Sequence, residues 1–227
     1  MTQSHHHSGL RIKVDDKLFL KNPDSSEMGQ KIIEHSILLI DRIGFEAFTF
    51  RKLAEEIHST EATIYRYFEN KHKLLLFLLS WYWQWMDYRI VFATHNVSIP
   101  EQRLETAIRL LTEEIEEDPE FAHVDERALY RIVVAESSKV YLIKNVDEIN
   151  REGHFASYKR LCRRVADIVR EINPDYQYPT ALISTVVESS HDQKFFGEHL
   201  PSLTEVRRGH SATEFLTHLV FSAISRK

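Results

Sequence analysis

The sequence predicts an all-α protein, with a small unit of three short helices in front and a larger helical body behind. Three observations predict it. Apolar residues recur at spacings of three and four along most of the chain, which is the period of one helical face. Six glycines and six prolines among 227 residues are few for the many turns of a β-sandwich. No stretch shows the strict alternation of a half-buried strand.

Taken in order, residues 1–23 read as an extended arm ending at Pro23. Its Arg11, Lys13, Lys17 and Lys21 stand against Asp15 and Asp16, so a mostly solvated tail is expected. Asp24-Ser25-Ser26-Glu27 has the spacing of a capping box. Behind it Met28, Ile32, Ile33, Ile37, Ile40 and Ile43 form one stripe, and Gly44 stands where a helix end favours φ > 0. Thr49 then caps a short helix that turns Leu53, Ala54 and Ile57 inward. His58-Ser59-Thr60 breaks the pattern. Ser59 or Thr60 caps a third helix through Ala62, Ile64, Tyr65 and Phe68. After Glu69-Asn70-Lys71 a long helix runs from Lys71 to about Ala93.

The body stays helical. Leu104, Ala107, Ile108, Leu111 and Ile115 make a stripe that Asp118-Pro119 stops. Ala128, Leu129, Ile132, Val133 and Val134 lead the next, followed by residues 140–143. Residues 147–172 predict one long helix with a basic face, ended by Asn173-Pro174. Residues 180–196 and 212–224 give the last two helices. Residues 197–210, with Gly197, Pro201 and Gly209, read as a loop. The expected division is an arm at 1–23, a first domain at 24–72 and a second at 73–227.

Charge narrows the partners. The net charge of −5 argues against a non-specific nucleic-acid coat. Residues 1–75 hold 11 basic and 11 acidic side chains, and the rest hold 18 and 23, so a polyanion meets less repulsion at the first part. The single cysteine, Cys162, excludes an internal disulfide and a cysteine metal cluster, and suits a reducing cytoplasm. The first residues, with His5, His6 and His7, lack the apolar run of a secretory signal. The uncharged run from Leu74 to Met86 rises ~20 Å as a helix, short of a ~30 Å hydrocarbon core. A protein of the cytoplasm, without a membrane partner, is expected.

Two short helices joined by a tight turn describe a helix-turn-helix. Its second helix presents an outer face to the major groove of double-stranded DNA. With Ile64 and Phe68 inward, the outer positions are Glu61, Ala62, Thr63, Arg66 and Tyr67, with Tyr65 on the flank. Hydroxyls of Thr and Tyr bond phosphates or base edges, and methyl groups meet thymine. From periodicity alone this competes evenly with three packing helices of an ordinary helical domain.

The residues themselves decide between the two. From Gly44 to Leu75 the aromatic at Phe48, then Thr49, Leu53-Ala54, Thr63-Ile64-Tyr65, Tyr67-Phe68, Lys71 and Leu74-Leu75 closely resemble the amino-terminal DNA-binding segment of the TetR/AcrR family of transcriptional regulators. The resemblance covers roughly residues 25–75. Beyond them the likeness is in length and helical character. It implies a helix-turn-helix DNA-binding domain followed by a ligand-binding and dimerisation domain. It also implies a homodimer, paired through its last two helices, on a palindromic operator. Thr60, Glu61, Ala62, Thr63, Tyr65 and Tyr67 would then serve bases or backbone, and Arg51, Lys52 and Lys71 would hold phosphates. A small-molecule effector would release a repressor from DNA. His58 and Ser59 depart from the family, which favours glycine and an apolar residue there. His is among the residue types less penalised at φ > 0.

The remaining signals are weaker. Trp81, Trp85, Tyr88 and Phe92 suit an apolar ligand pocket, and equally the buried core of a bundle. Glu188 and His191 form a Glu-x-x-His unit, the alternative reading being a metal-binding or enzymatic helical protein. That chemistry wants a second unit, and Glu55-Glu56-Ile57-His58 is spent in the helix-turn-helix. No phosphate-binding glycine loop and no nucleophile elbow occurs. No catalytic residue, metal or cofactor is therefore assigned.

Overall fold

The computed structural model describes residues 12–115, 124–206 and 211–225. Residues 5–7, Arg11, Asp118-Pro119, Gly209 and His210 lie outside them. Among the described residues the structure is helical throughout, without strands. The helices are α1 (Glu27–Ala47), α2 (Phe50–Glu56), α3 (Glu61–Tyr65), α4 (Lys71–Thr94), α5 (Pro100–Thr112), α6 (Glu126–Glu136), α7 (Ser138–Tyr141), α8 (Val146–Arg151), α9 (Ala156–Ile172), α10 (Pro179–His199) and α11 (Ala212–Ile224). No helix among the described residues is long and apolar enough to cross a membrane.

The chain forms two compact units. The first takes the residues up to Tyr82 together with Ile115–Phe155. In it α1 packs on α2 and α6, and α2 on α3. Ile32, Ile37, Ile40, Leu53, Ile64, Phe68, Ala128, Leu129 and Val133 are buried, each of them larger than alanine contributing roughly 1.5–3 kcal/mol on removal from water. The second unit takes Trp83–Glu114 and the residues from Ala156 onward. There α5, α9, α10 and α11 pack on one another over Leu104, Ile108, Leu161, Val165, Val169, Ile183, Val186, Leu216 and Val220.

Local chemistry explains where the helices differ from expectation. Ser26, not Asp24, caps α1, its hydroxyl accepting from the Gly29 amide at 3.2 Å. Asp24 lies in a 3-10 turn that Asn22 caps. A reciprocal capping box occurs instead at Ser211 and Glu214, opening α11. The arm is no solvated tail from residue 12 onward: Ile12, Val14 and Leu18 are buried. The helix expected over 147–172 divides. Gly153 at φ 92 ends α8, the Gly153 amide bonds the Asn150 carbonyl at 3.1 Å, and the His154 amide bonds the Ile149 carbonyl at 3.4 Å. This is a Schellman closure, which requires the left-handed residue that glycine supplies. Helix α10 runs past Phe196 through Gly197, where a Cβ would come within 2.7 Å of the Val206 carbonyl oxygen. That glycine marks a close backbone approach and not a turn.

Candidate nucleic-acid interface

The interface begins at a corner. Helix α1 is broken at Gly44 (φ 76, ψ 156), conformational space essentially closed to side chains. The break redirects residues 45–48 and delivers Thr49 as the cap of α2, its hydroxyl accepting from the Lys52 amide at 3.2 Å. Helix α2 ends in a second Schellman closure. The His58 amide reaches the Glu55 carbonyl at 3.3 Å, and the Ser59 amide reaches Ala54 at 2.9 Å. His58 takes φ 52, the left-handed position expected from its place in the turn. The Lys31 ammonium also donates to the last carbonyl of the helix region, Ile57, at 3.1 Å. Thr60, of the two candidates, caps α3 by accepting from the Thr63 amide at 3.2 Å, and its hydroxyl lies 3.0 Å from that of Thr63.

With Ile64 and Phe68 fully buried, α3 shows solvent Glu61, Ala62, Tyr65 and Arg66. Tyr65 is 48% exposed, its ring meeting Phe50 edge-on at 5.0 Å. Thr63 is half-buried. This face offers a carboxylate, a methyl, hydroxyls and a guanidinium, which is a set able to read base edges and phosphates. Arg51 and Lys52 flank it, both exposed. The Arg51 guanidinium pairs with Glu55 at 3.1 Å, and Lys52 donates to the Ala47 carbonyl at 2.8 Å. Exposed ion pairs of this kind are weak and leave such groups available to a polyanion.

Two residues assigned to this face are placed otherwise. Tyr67 is buried rather than outward, because the arm covers it. Its hydroxyl lies 2.8 Å from that of Ser26 and accepts from Lys21 at 3.2 Å. Burial pushes the phenol up, but those two hydrogen bonds outweigh it, and Tyr67 titrates below its ordinary value. Lys71 faces the corner. Its ammonium donates to the carbonyls of Phe45 (3.1 Å), Glu46 (3.2 Å) and Phe48 (3.1 Å) and sits 4.7 Å from the centre of the Phe45 ring. All three donors of the ammonium are thereby engaged. Lys71→Met should cost about 1–2 kcal/mol in urea denaturation, after discounting for its partial exposure. It should leave the salt slope of DNA binding unchanged, whereas a phosphate contact would take ~1 from that slope.

Sequence reasoning passed over Lys21 and Glu136. Lys21 reads only as one basic residue of a mixed arm. Glu136 is buried, accepting the Phe45 amide on Oε1 at 3.0 Å while its Oε2 lies 2.8 Å from Lys139 Nζ. Nothing local in the sequence links it to a residue 91 positions earlier.

The residues singled out for ligands scatter. Trp81 and Trp85 are buried, but Phe92 is 75% exposed and does not face the protein interior, its ring lying 6.0 Å from that of half-buried Tyr88. The first unit carries a groove of about 370 Å³ lined by Leu76, Val140, Ile143, Ile149, His72 and Lys139, among others. Glu188 and His191 do not form a metal centre. Glu188 lies at the surface, accepting from Tyr158 at 2.7 Å, while His191 is buried beside Trp83. Among the described residues no cluster of three acidic, His or Cys groups is suited to a metal ion. The Cys162 thiol is buried, and burial pushes it up to about 11, as befits an inert packing residue.

Comparison with known proteins bears on the fold and the family. By sequence, no curated protein matches the chain. Among solved structures, a transcriptional regulator of Saccharomonospora viridis, described as putative and in complex with choline, aligns with TM-score 0.59 at 18% identity, covering 88% of this chain and 96% of that one. The superantigen PfiT aligns with TM-score 0.58 at 13% identity over 89% and 97%. AibR, in complex with isovaleryl coenzyme A and operator DNA, aligns with TM-score 0.54 at 14% identity over 85% and 97%. At such identities these likenesses establish the fold, and a fold does not by itself name a function. The sequence of residues 32–77, which spans most of α1, the corner, α2, α3 and the opening of α4, matches the bacterial regulatory proteins of the tetR family. The helix-turn-helix segment of the chain is thus that of the tetR family of bacterial regulatory proteins, and the solved structures share the fold that carries it.

Proposed function

We propose that the protein is a sequence-specific DNA-binding transcriptional regulator of the cytoplasm, a repressor that leaves its operator when a small molecule binds. The observation that carries this reading is the exposed outer face of α3, held between a capped α2 and the buried anchors Ile64 and Phe68. Glu61, Ala62, Thr63 and Tyr65 read base edges, Thr60 lies at the approach to the backbone, and Arg51, Lys52 and Arg66 hold phosphates. AibR, which shares the fold, is described with both an acyl coenzyme A and operator DNA, and the Saccharomonospora protein with choline. Those complexes favour an organic effector here, and Trp85 and Tyr88 of the second unit are the aromatic groups for its apolar part.

The protein works as a homodimer on a palindrome. Helices α10 and α11 leave Ala181, Thr185, Phe195, Phe215 and Leu219 exposed, apolar surface of the kind that pairs with its own copy. Two reading helices then stand about 35 Å apart, one duplex repeat.

The test is selection from genomic fragments followed by titration. A palindrome should be enriched, with affinity falling steeply as salt rises. Thr63→Ala or Tyr65→Ala should reduce the ratio of operator to non-specific affinity about tenfold, the weight of one base contact. Sequence-blind binding, or a monomer by light scattering at micromolar concentration, would sink the reading.

A further inference from the structure

The arm touches two places within the first unit. At one end, Asp15 Oδ2 lies 3.4 Å from Nδ1 of the buried His154, and the Lys17 ammonium donates to the Glu152 carbonyl at 3.4 Å. His154 Nε2 is 2.8 Å from Glu152 Oε2 and 2.9 Å from Lys73 Nζ, which brings the opening turn of α4 into the same cluster. At the other end, the Leu20 amide donates to the Tyr67 carbonyl at 2.7 Å. Lys21 donates to the Tyr67 hydroxyl and lies 4.9 Å from the centre of its ring. Val14, just before the first end, and Leu18, between the two, are buried, and Phe19 packs edge-on against Phe77, which in turn meets Phe68.

Helix α3 has five residues. A helix so short is unstable alone and depends on its surroundings for order. The Tyr67 carbonyl, two residues past the end of α3, takes its donor from the arm, 47 positions earlier in the chain, and so fixes the turn that closes the helix. We propose that Lys21 and the Leu20 backbone are positioning groups for the reading helix, and that residues 12–22 transmit movement of the turn at 152–154 to it. The arm is thus a second mechanical link to α3, distinct from the short path through α2 and the His58 turn. A displacement that separates Asp15 and Lys17 from the turn loosens Leu20 and Lys21 in consequence, and the end of α3 frays. Calling α3 the reading helix rests on the function proposed above. The link itself does not.

Hydrogen exchange on the full-length protein without DNA tests it. The probes are the Tyr67 and Phe68 amides, which bond the Ile64 carbonyl at 2.8 and 3.1 Å. Lys21→Met should speed their exchange about threefold, the size set by one partly exposed charged hydrogen bond. Lys21→Arg should restore it. Lys21→Met should also raise the Tyr67 phenol titration, followed by NMR of labelled tyrosine, which a merely space-filling lysine would not move. Asp15→Asn touches nothing on α3, yet should speed the same two amides. Unchanged exchange in Lys21→Met removes the positioning role. Asp15→Asn effects confined to residues 12–19 and 152–154 remove the transmission. Because no DNA is present, failure to find an operator leaves this result standing, and the reverse also holds.

Discussion

Glu136→Ala is expected to destabilise the first unit by about 3 kcal/mol, the range for stripping a buried charged acceptor from its partners. The carboxylate holds the Phe45 amide at the Gly44 break and lies against Lys139, which also reaches Glu46 at 3.1 Å. Pairing with Glu136 first and Glu46 second keeps the Lys139 ammonium above its ordinary value. Alanine leaves an amide without its acceptor and takes from Lys139 its buried counter-charge. Glu136→Gln retains the carbonyl oxygen facing Phe45, so it should recover roughly half of the loss. Urea midpoints compared across the three proteins, with exchange at the Phe45 amide, measure this. A loss under ~1 kcal/mol would mean that water replaces the carboxylate at no great cost. The effect also reaches function, because the corner sets the direction in which Thr49 launches α2.

That corner shows how much of the fold and site was legible in the sequence. Gly44 announces a left-handed residue, Thr49 announces a cap, and the Leu53, Ala54, Ile57 pattern announces the inward face, because each is a local rule. His58 announces a strained turn for the same reason. What holds the corner is not local. Lys71 reads as a cation at a helix start, and only the tertiary path shows it enclosed by three carbonyls 23–26 positions away. Glu136 and the arm on Tyr67 likewise act across long separations. The split at Gly153 escaped the sequence reading, because the apolar periodicity that resumes after the glycine hides it. Phe92 shows the converse failure: helical spacing places an aromatic on a face without saying whether that face is covered.

Acid should expose His191. Burial, and secondarily Lys194, push its imidazole down to about 4, whereas an unfolded chain would titrate near 6.5. The unfolded state therefore binds the proton first. Stability associated with the neutral ring is complete above pH 6.5 and is lost as pH falls through the interval to about 4. The difference amounts to roughly 3 kcal/mol. Lys194 does not contribute a slope there: burial pushes it down to about 8, against the pull of Glu114, Glu113 and Glu198, so it stays protonated throughout the window. Carboxylates also titrate toward the acid end, so the informative quantity is the stability of the parent minus that of His191→Leu at each pH. That difference should shrink by roughly 3 kcal/mol between pH 7 and pH 4, since leucine has no proton to exclude. A difference independent of pH would place the imidazole in water. The same experiment bears on metal chemistry at Glu188 and His191: a ligand needs an open lone pair within reach of its partners, so added zinc should leave the parent curve unmoved, while a zinc-dependent rise in stability would restore the metal reading.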